Sequence, residues 1–210
     1  MRKPELLLVG AGGHAAACID VIEQEDRFRI AGLLGFPEEV GKQVLGYPIL
    51  DSDAELGKFA GLYQYALIGI GQIKSPDLRM RLFHVLKEAG YELPMIVSPR
   101  AYVSKHAQLG EGTIVMHGAT INARASVGRN CIVNSMALIE HDVQIDDHCH
   151  IATAAIVNGG VTISTGTFVG SNSVIRQVVK LGERCIVGMG QVVRSDCADR
   201  ETLPAAGDAP

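Results

Sequence analysis

The sequence predicts a chain of two parts: a small α/β domain over residues 1–92 and a parallel β-solenoid over residues 93–198, followed by a C-terminal tail over 199–210. Three observations lead to this prediction. Residues 1–92 alternate apolar, strand-like segments with helical segments. From Val97 to Val193, every sixth residue is Val, Ile or Leu. Hydrophobic residues make up 47% of the 210 residues, which is ample for a packed core.

The first part reads as a Rossmann-like βαβ arrangement. Buried strands are predicted at LLLVG (6–10), RIAGLLG (29–35) and YALIGIG (65–71). A glycine turn, GAGGH (10–14), leads into a helix at AAACIDVIEQE (15–25). A second helix is predicted over 75–90, with Ser75 at its start and Pro76 directly behind it.

The glycine turn raises the question of a dinucleotide. Gly10, Gly12 and Ala15 satisfy the spacing G-x-G-x-x-G/A. NAD is nevertheless not expected, because the domain is short and the second strand ends at Gly35-Phe36 without an acidic residue to bind a ribose. Free N–H groups of Gly10, Gly12 and Gly13 ahead of a helix are still suited to a phosphate, so a nucleotide-linked ligand is predicted here.

The second part repeats with a period of six. Neither a helical period of 3.6 nor a strand period of 2 produces an unbroken six, so each six residues are predicted to form one short strand and one turn, stacked as a solenoid. The repeat positions are Val97, Val103, Leu109, Val115, Ile121, Val127, Val133, Ile139, Ile145, Ile151, Val157, Ile163, Val169, Ile175, Leu181, Val187 and Val193.

Two other positions of the repeat are restricted. Four residues after a repeat position the side chain is mostly small, and four of the five cysteines fall there: Cys131, Cys149, Cys185 and Cys197. They are predicted to be packing residues, since the count is odd and no C-x-x-C spacing indicates zinc or disulfides. One residue after a repeat position, Gly, Asn or Asp recurs, which predicts a turn with positive φ there.

Charge and hydropathy exclude several classes of protein. The net charge is −4 and no run of Lys or Arg is present, which argues against nucleic-acid binding. No apolar run approaches the roughly 18 residues that a membrane span needs. A cytoplasmic protein is expected.

Six motifs are spread over the chain: GAGGH at 10–14, GYPIL at 46–50, IGIG at 68–71, ALIEH at 137–141, VNGGV at 157–161 and FVGS at 168–171. With these motifs, the chain as a whole resembles the NeuD/PglD family of bacterial sugar acyltransferases. It implies a left-handed parallel β-helix behind the α/β domain, acetyl-CoA as co-substrate without a metal, and a homotrimer. It also implies acetylation of a sugar, commonly at the 4-amine of a nucleotide-linked 4-amino-4,6-dideoxy sugar.

His141 matches the position of the catalytic histidine of that family. A neutral imidazole near pH 7 is able to take the proton that an amine loses as it attacks a thioester, and a neighbouring carboxylate is able to fix its tautomer. Asp142 and Glu140 both flank His141. The family pattern favours Asp142, but the sequence leaves the choice open.

The resemblance assigns further roles residue by residue. Gly159 matches the position whose backbone N–H faces the thioester oxygen, and Asn134 and His14 match substrate contacts, His14 near the sugar or its phosphates. His150, Gly188 and Arg194 match contacts to the acetyl group or to CoA. His150 lies half a coil from His141, so the two are expected to meet only between neighbouring subunits of a trimer.

His117 and His148 have no counterpart in the family and are expected to be turn residues. A metal is not expected, because residues 117, 141, 148 and 150 do not share one phase of an 18-residue coil. No cysteine setting and no Ser-His-Asp spacing points to an acyl-enzyme, so direct transfer is predicted.

Two other functions stay open at this point: O-acetylation of a sialic or related sugar, and a non-catalytic solenoid that binds a ligand or supports an assembly. The nucleotide is open as well. Relatives acting on UDP-sugars often carry two acidic residues after the second strand, whereas here Gly35 and Phe36 precede Glu38 and Glu39. UDP, GDP and dTDP all remain candidates.

Overall fold

The computed structural model describes residues 3–207 and begins with a five-stranded sheet in the order β3-β4-β2-β1-β5. Its strands are parallel except for the β3–β4 hairpin. The strands are β1 Glu5–Val9, β2 Arg29–Gly35, β3 Gln43–Val44, β4 Tyr47–Ser52 and β5 Tyr65–Ile68. The helices are α1 Gly13–Glu25, α2 Leu56–Phe59 and α3 Asp77–Glu88, with 3-10 turns at Pro37–Glu39 and Asp53–Glu55.

The predicted strands and helices of this domain are present, with shifted ends. Helix α1 begins at Gly13 instead of residue 15. Helix α3 begins at Asp77, whose N–H donates to Ser75 Oγ at 3.1 Å. Strand β5 ends at Ile68, because the residues up to Gly71 leave the sheet toward the solenoid. The β3–β4 hairpin and α2 were not predicted.

The second part is a left-handed β-helix, as the resemblance implied. Every repeat position from Val97 to Val193 is the second residue of a two-residue strand. Strands stack in register with those 18 residues away, so that Ile121 pairs with Ile139. Thr202–Leu203, within the predicted tail, adds a further strand to the stack. The last predicted tail residues, 208–210, lie outside the described part.

The strands form three faces, which we name by what covers them or by the character of their outward side chains. The domain face is covered by the α/β domain and contains β6 Ile96–Val97, β9 Ile114–Val115, β12 Ile132–Val133, β15 His150–Ile151, β18 Phe168–Val169, β21 Ile186–Val187 and β23 Thr202–Leu203. The apolar face contains β7 Tyr102–Val103, β10 Thr120–Ile121, β13 Leu138–Ile139, β16 Ile156–Val157, β19 Val174–Ile175 and β22 Val192–Val193. The polar face contains β8 Gln108–Leu109, β11 Ser126–Val127, β14 Gln144–Ile145, β17 Thr162–Ile163 and β20 Lys180–Leu181.

The solenoid core consists of the repeat positions and the small residues four positions later. Since successive side chains of a strand point to opposite sides, the second residue of each strand points inward. Ile139, Val157 and Ile175 are fully buried in this core, and so is Ala137. The four cysteines predicted to pack here are buried and free, which confirms their packing role.

The prediction of positive φ one residue after each repeat position was wrong. That residue still continues the ladder, as the N–H of Asn134 donates to Ile151 O at 2.8 Å. The left-handed residue comes two positions later, for example Met136 at φ 61 and Asp142 at φ 60. Glycine recurs at the earlier position because the next coil passes very close: a Cβ on Gly128 would lie 2.6 Å from Asp146 C.

The α/β domain is fixed to the solenoid by a buried arginine. Arg79 of α3 is only 1% exposed. Its guanidinium donates to the carbonyl oxygens of Ile68 at 3.0 Å and Ile70 at 2.5 Å, and to Asn130 Oδ1 at 2.6 Å. No carboxylate is among the partners of Arg79 in residues 3–207, so carbonyl dipoles and one amide stabilise the charge. This cage joins the loop after β5 to a turn of the solenoid.

Candidate active site

His141 lies on the edge between the apolar and polar faces, which we call the His141 edge. The ring is 63% exposed, and its Nδ1 lies 2.7 Å from Asp142 Oδ2. Because the carboxylate accepts, Nδ1 carries the proton and Nε2 keeps a free lone pair in the neutral ring. Glu140 instead accepts from Asn122 Nδ2 at 3.0 Å and from the His141 backbone N–H at 3.4 Å, so Asp142 is the carboxylate that contacts the ring.

Asp142 is itself held by Arg124 of the preceding coil. Arg124 Nε donates to Oδ1 at 2.6 Å, and Nη2 donates to Oδ2 at 2.9 Å. The guanidinium, and after it the hydrogen bond from His141, hold the pKa of the Asp142 carboxyl well below its usual range. Asp142 is therefore a carboxylate throughout the neutral pH range.

Gly159 lies on the next coil directly against the His141 ring. A Cβ at Gly159 would be 2.7 Å from His141 Cε1 and 2.9 Å from Nε2. Only a residue without a side chain leaves the ring in this position. The Gly159 N–H has no acceptor among residues 3–207, so it is free to donate a hydrogen bond.

A second polar group lies where the α/β domain meets the solenoid. His150 is 6% exposed, and its Nδ1–H donates to Gln72 O at 2.6 Å. Asn134 Nδ2 approaches His150 Nε2 at 3.3 Å. The ring of His14 lies 6.5 Å from that of His150, centroid to centroid, and His14 Nε2 is buried without a partner in the described chain.

Burial keeps these rings neutral. Desolvation lowers the pKa of His14 to about 3, with smaller contributions from Arg79 and His150. Desolvation likewise lowers the pKa of His150 to about 4, against a smaller opposing effect of Gln72 O. At neutral pH both rings therefore act as hydrogen-bonding groups without charge.

A cavity of about 220 Å³ opens beside His14. It is lined by the predicted Gly10, Gly12 and Gly13, by the loop Gly69–Gly71, and by Phe36, Glu39 and Asp53. No side chain caps the N-terminus of α1. The cavity contains two carboxylates that the sequence analysis did not assign, and Glu39 Oε2 accepts from the Phe36 N–H at 2.8 Å. A larger cleft of about 1040 Å³ lies at the opposite edge of this sheet, around Pro4 and Arg29.

Three groups were missed because their partners are far apart in sequence. Gln72 is 3% exposed and donates to the carbonyl oxygens of His148 and Gly166. Glu39 and Asp53 reach the cavity through loops that no motif marks. The sequence contained a weak signal in the acidic pair Glu38-Glu39, which the prediction did not assign because Gly35 and Phe36 separate it from the end of the second strand.

His117 and His148 lie in turns, as predicted, and both also make hydrogen bonds inside the protein. His148 is 4% exposed and its Nδ1 accepts from Asn130 Nδ2 at 2.9 Å, whereas His117 links Ser98 Oγ at 2.6 Å to Asp20 at 2.7 Å. This Ser-His-Asp chain joins the solenoid to α1. Ser98 is 1% exposed, so it is not placed as a nucleophile.

Gly188 and Arg194 lie at the far end of the solenoid. Gly188 has a packing reason of its own, since a Cβ there would be 2.4 Å from Ala205 N. Arg194 is exposed, and its carbonyl oxygen accepts from Arg176 Nη1 at 3.4 Å.

Across residues 3–207, no three His, Cys, Asp or Glu side chains are grouped to hold a metal, and no helix is long and apolar enough to cross a membrane.

Comparison with known proteins bears on the whole chain. The model of the PglD N-terminal domain matches residues 5–86. PerB from Caulobacter crescentus, solved with CoA and GDP-perosamine, is 28% identical, with a TM-score of 0.89 over 97% of this chain and 95% of that one. Residues 5–86 thus match the PglD N-terminal domain, the chain is similar over nearly its whole length to a sugar N-acetyltransferase, and the protein is an acetyltransferase.

Two further structures share the fold of this acetyltransferase. The acetyltransferase domain of PglB from Neisseria gonorrhoeae, solved with acetyl coenzyme A, is 23% identical, with a TM-score of 0.89 and all of both chains covered at 100%. WeeI from Acinetobacter baumannii is 20% identical, with a TM-score of 0.84 over 97% of this chain and 98% of that one. Comparison with curated protein sequences gave no match.

Proposed function

We propose that this acetyltransferase transfers the acetyl group of acetyl-CoA to the 4-amino group of a nucleotide-linked 4-amino-4,6-dideoxy sugar. The observation that carries the proposal is His141, held at Nδ1 by Asp142 and free at Nε2, beside the Gly159 N–H. The likeness to PerB, which was solved with GDP-perosamine, supports an aminosugar nucleotide as acceptor.

The proposed reaction is a direct transfer. The amine nitrogen attacks the thioester carbonyl carbon while His141 Nε2 takes the proton of the amine. The negative charge that develops on the carbonyl oxygen is stabilised by the Gly159 N–H, and such a donor contributes about 3 kcal/mol to the transition state. The C–S bond then breaks, CoA leaves as a thiolate that is protonated from the imidazolium, and the product is an amide.

The acceptor is proposed to bind to the α/β domain. Gly10, Gly12 and Gly13 line the cavity at the uncapped start of α1. The Gly10 N–H donates to Leu34 O at 2.7 Å and is not free as the sequence predicted, so the N–H groups of Gly12 and Gly13 and the helix dipole are the features that favour a diphosphate. The neutral His14, with its unpartnered Nε2, would contact the sugar. Asn134 and His150 would complete the wall on the solenoid side.

A homotrimer is part of the proposal. The outward residues of the apolar face are Tyr102, Thr120, Leu138, Ile156, Val174 and Val192, and the two at the ends are 60% and 52% exposed. A strip of this length that is mostly apolar favours burial against another copy. The strip ends at the His141 edge on one side and near Asn134 on the other, so neighbouring copies would bring His141 of one subunit toward His150 of the next. CoA would occupy this groove, with Gly188 and Arg194 along its later coils.

A panel of acceptors tests the proposal. The purified chain is incubated with acetyl-CoA and GDP-, UDP- or dTDP-linked 4-amino sugars, or with free sialic acid, and CoA release and the acetylated product are measured. We expect amide formation with at least one nucleotide-linked amine, GDP-perosamine being the first to assay. Transfer only to a hydroxyl of sialic acid would replace the proposal with O-acetylation, and ligand binding without turnover would replace it with a non-catalytic module.

The His141→Asn variant tests whether His141 is the general base. It keeps a polar side chain on the exposed edge, so the fold and thermal unfolding should not change. Amide formation should fall by about 10² to 10⁴-fold, the range for loss of a general base. Turnover near that of the wild type would remove His141 from this role.

A further inference from the structure

We propose that Arg124 is a positioning residue of this site, which holds both oxygens of the Asp142 carboxylate and so keeps the His141 ring oriented and in its neutral form. The inference rests on the proposed function for its meaning in catalysis. Its first test does not need turnover.

The Asp142 carboxylate lies between the Arg124 guanidinium and the His141 ring. Arg124 and Asp142 are 18 residues apart, on successive coils, and form two hydrogen bonds of 2.6 and 2.9 Å. A bidentate pair of this kind fixes the plane of the carboxylate. Oδ2, which accepts from Arg124 Nη2, also lies 2.7 Å from His141 Nδ1. The arginine therefore determines which way the oxygen that orients the ring points.

The other charged groups around His141 leave Arg124 as the main counter-charge. The Glu140 carboxylate accepts from Asn122 Nδ2 on the preceding coil at 3.0 Å and from the His141 backbone N–H at 3.4 Å, and it makes no hydrogen bond to the ring in the described chain. The following coil presents Gly159 and Gly160, which carry no charge. On the coil that precedes Arg124, Lys105 and His106 are exposed, and His106 contacts Arg124 through its backbone oxygen at 3.1 Å.

Electrostatics then predicts the effect on the ring. A lone carboxylate beside an imidazole favours the imidazolium, because the opposite charge stabilises it. When a guanidinium already neutralises that carboxylate, protonation of the ring adds a second positive charge to the group. Arg124 thus neutralises the carboxylate that accepts the Nδ1–H hydrogen bond, and Nε2 stays free to act as a base.

The same kind of ion pair occurs elsewhere on the solenoid. Arg129 and Asp147 are also 18 residues apart and pair through Nε at 2.9 Å and Nη2 at 2.6 Å, on the edge between the polar and domain faces. This pair is away from the His141 edge. Removing the Arg129–Asp147 pair therefore serves as a matched control, because it shows what such a pair between coils contributes to folding.

The first experiment measures the protonation of His141 in the full chain without substrate. Histidine NMR titrations are compared for wild type, Arg124→Gln, Arg124→Lys and Arg129→Gln, with His141 assigned from the His141→Asn variant. We expect the His141 titration to move to higher pH in Arg124→Gln and to move less in Arg124→Lys. Arg129→Gln should leave it unchanged. An unchanged His141 titration in Arg124→Gln would overturn the proposal.

The second experiment follows acetyl transfer as a function of pH. The acidic limb of the kcat/KM profile should move upward in Arg124→Gln by the same amount as the titration, and Arg124→Lys should restore part of the shift. A lower kcat with an unmoved acidic limb would mean that Arg124 only supports the fold. If no acceptor is acetylated at all, the proposed function fails, while the titration still decides the role of Arg124.

Discussion

At the scale of single residues, the His141 edge depends on the absence of one side chain. The repeat places His141 and Gly159 at equivalent positions of successive coils. A Cβ at Gly159 would lie 2.7 Å from the ring, well inside van der Waals contact. The glycine therefore serves two purposes, since it makes room for the imidazole and offers a free N–H at the same point. The family resemblance implied the role of the N–H, whereas the room made for the imidazole is not visible in the sequence, where glycine is common at turns.

Replacing Gly159 by Ala keeps the N–H but displaces the ring. Since a misplacement of about 1 Å can cost about 100-fold in rate, we expect a fall in kcat of this order. Circular dichroism and thermal unfolding should change little, because the ring is exposed and free to move outward. Gly57→Ala, where a Cβ meets nothing within 4 Å, is the control and should retain full activity. Activity of Gly159→Ala equal to that of the control would contradict the assigned geometry.

At the scale of elements, each face of the solenoid has a different partner although all strands are alike. The second residue of every strand must be aliphatic because it fills the core. The first residue is free to vary, and it is mostly apolar on two faces and polar on the third. The α/β domain covers the domain face through Ile96, Ile114 and Ile132. The apolar face remains partly exposed, and the proposed trimer depends on it.

Val174→Asp tests that face. The residue is the outward member of β19 and is half-buried in the single chain. A carboxylate there would lose its hydration in a trimer interface, so we expect dissociation into monomers and loss of transfer activity. Thr162→Asp is the matched control at the corresponding position of the polar face. Mass measured by light scattering separates the outcomes, and a trimeric Val174→Asp protein would show that the copies assemble elsewhere.

At the scale of the whole molecule, neutral histidines join the two domains. His148 and His150 are both buried on the solenoid side, and burial lowers the pKa of each to about 4. An unfolded histidine titrates near 6.5. Between these values the unfolded chain binds more protons than the folded one, so the free energy of unfolding must fall as the pH falls. The contribution is complete above about pH 6.5 and is lost progressively toward pH 4.

The pH dependence is measurable by urea unfolding at fixed protomer concentration. At about pH 5, the titration of His150 alone should lower the free energy of unfolding by about 2 kcal/mol relative to neutral pH. His150→Gln should therefore flatten the decline between pH 7 and pH 5, whatever it does to stability at neutral pH. His106→Asn, which removes an exposed ring, should leave the decline as in the wild type. Equal acid slopes for wild type and His150→Gln would show that His150 is not the group responsible.

Much of the architecture followed from local pattern. The six-residue period located every two-residue strand from Val97 to Val193, because each coil repeats the same inward position. The glycine turn and the apolar runs located α1 and three strands of the sheet. The turn conformation was misplaced by two residues, because hydrogen bonding to the next coil, and not residue preference, decides where the strand ends.

The sequence by itself determined the solenoid, the α/β domain and the pairing of His141 with an adjacent carboxylate, because these depend on residues close in the chain or on a strict repeat. Only the tertiary structure decided that Arg124 binds Asp142, that Gly159 lies against His141, and that His150 and His148 are buried under the loop after β5. Those contacts join residues 18 to 78 positions apart. Side chains that far apart meet through the stacking of coils and the docking of one domain on another, which no local preference encodes.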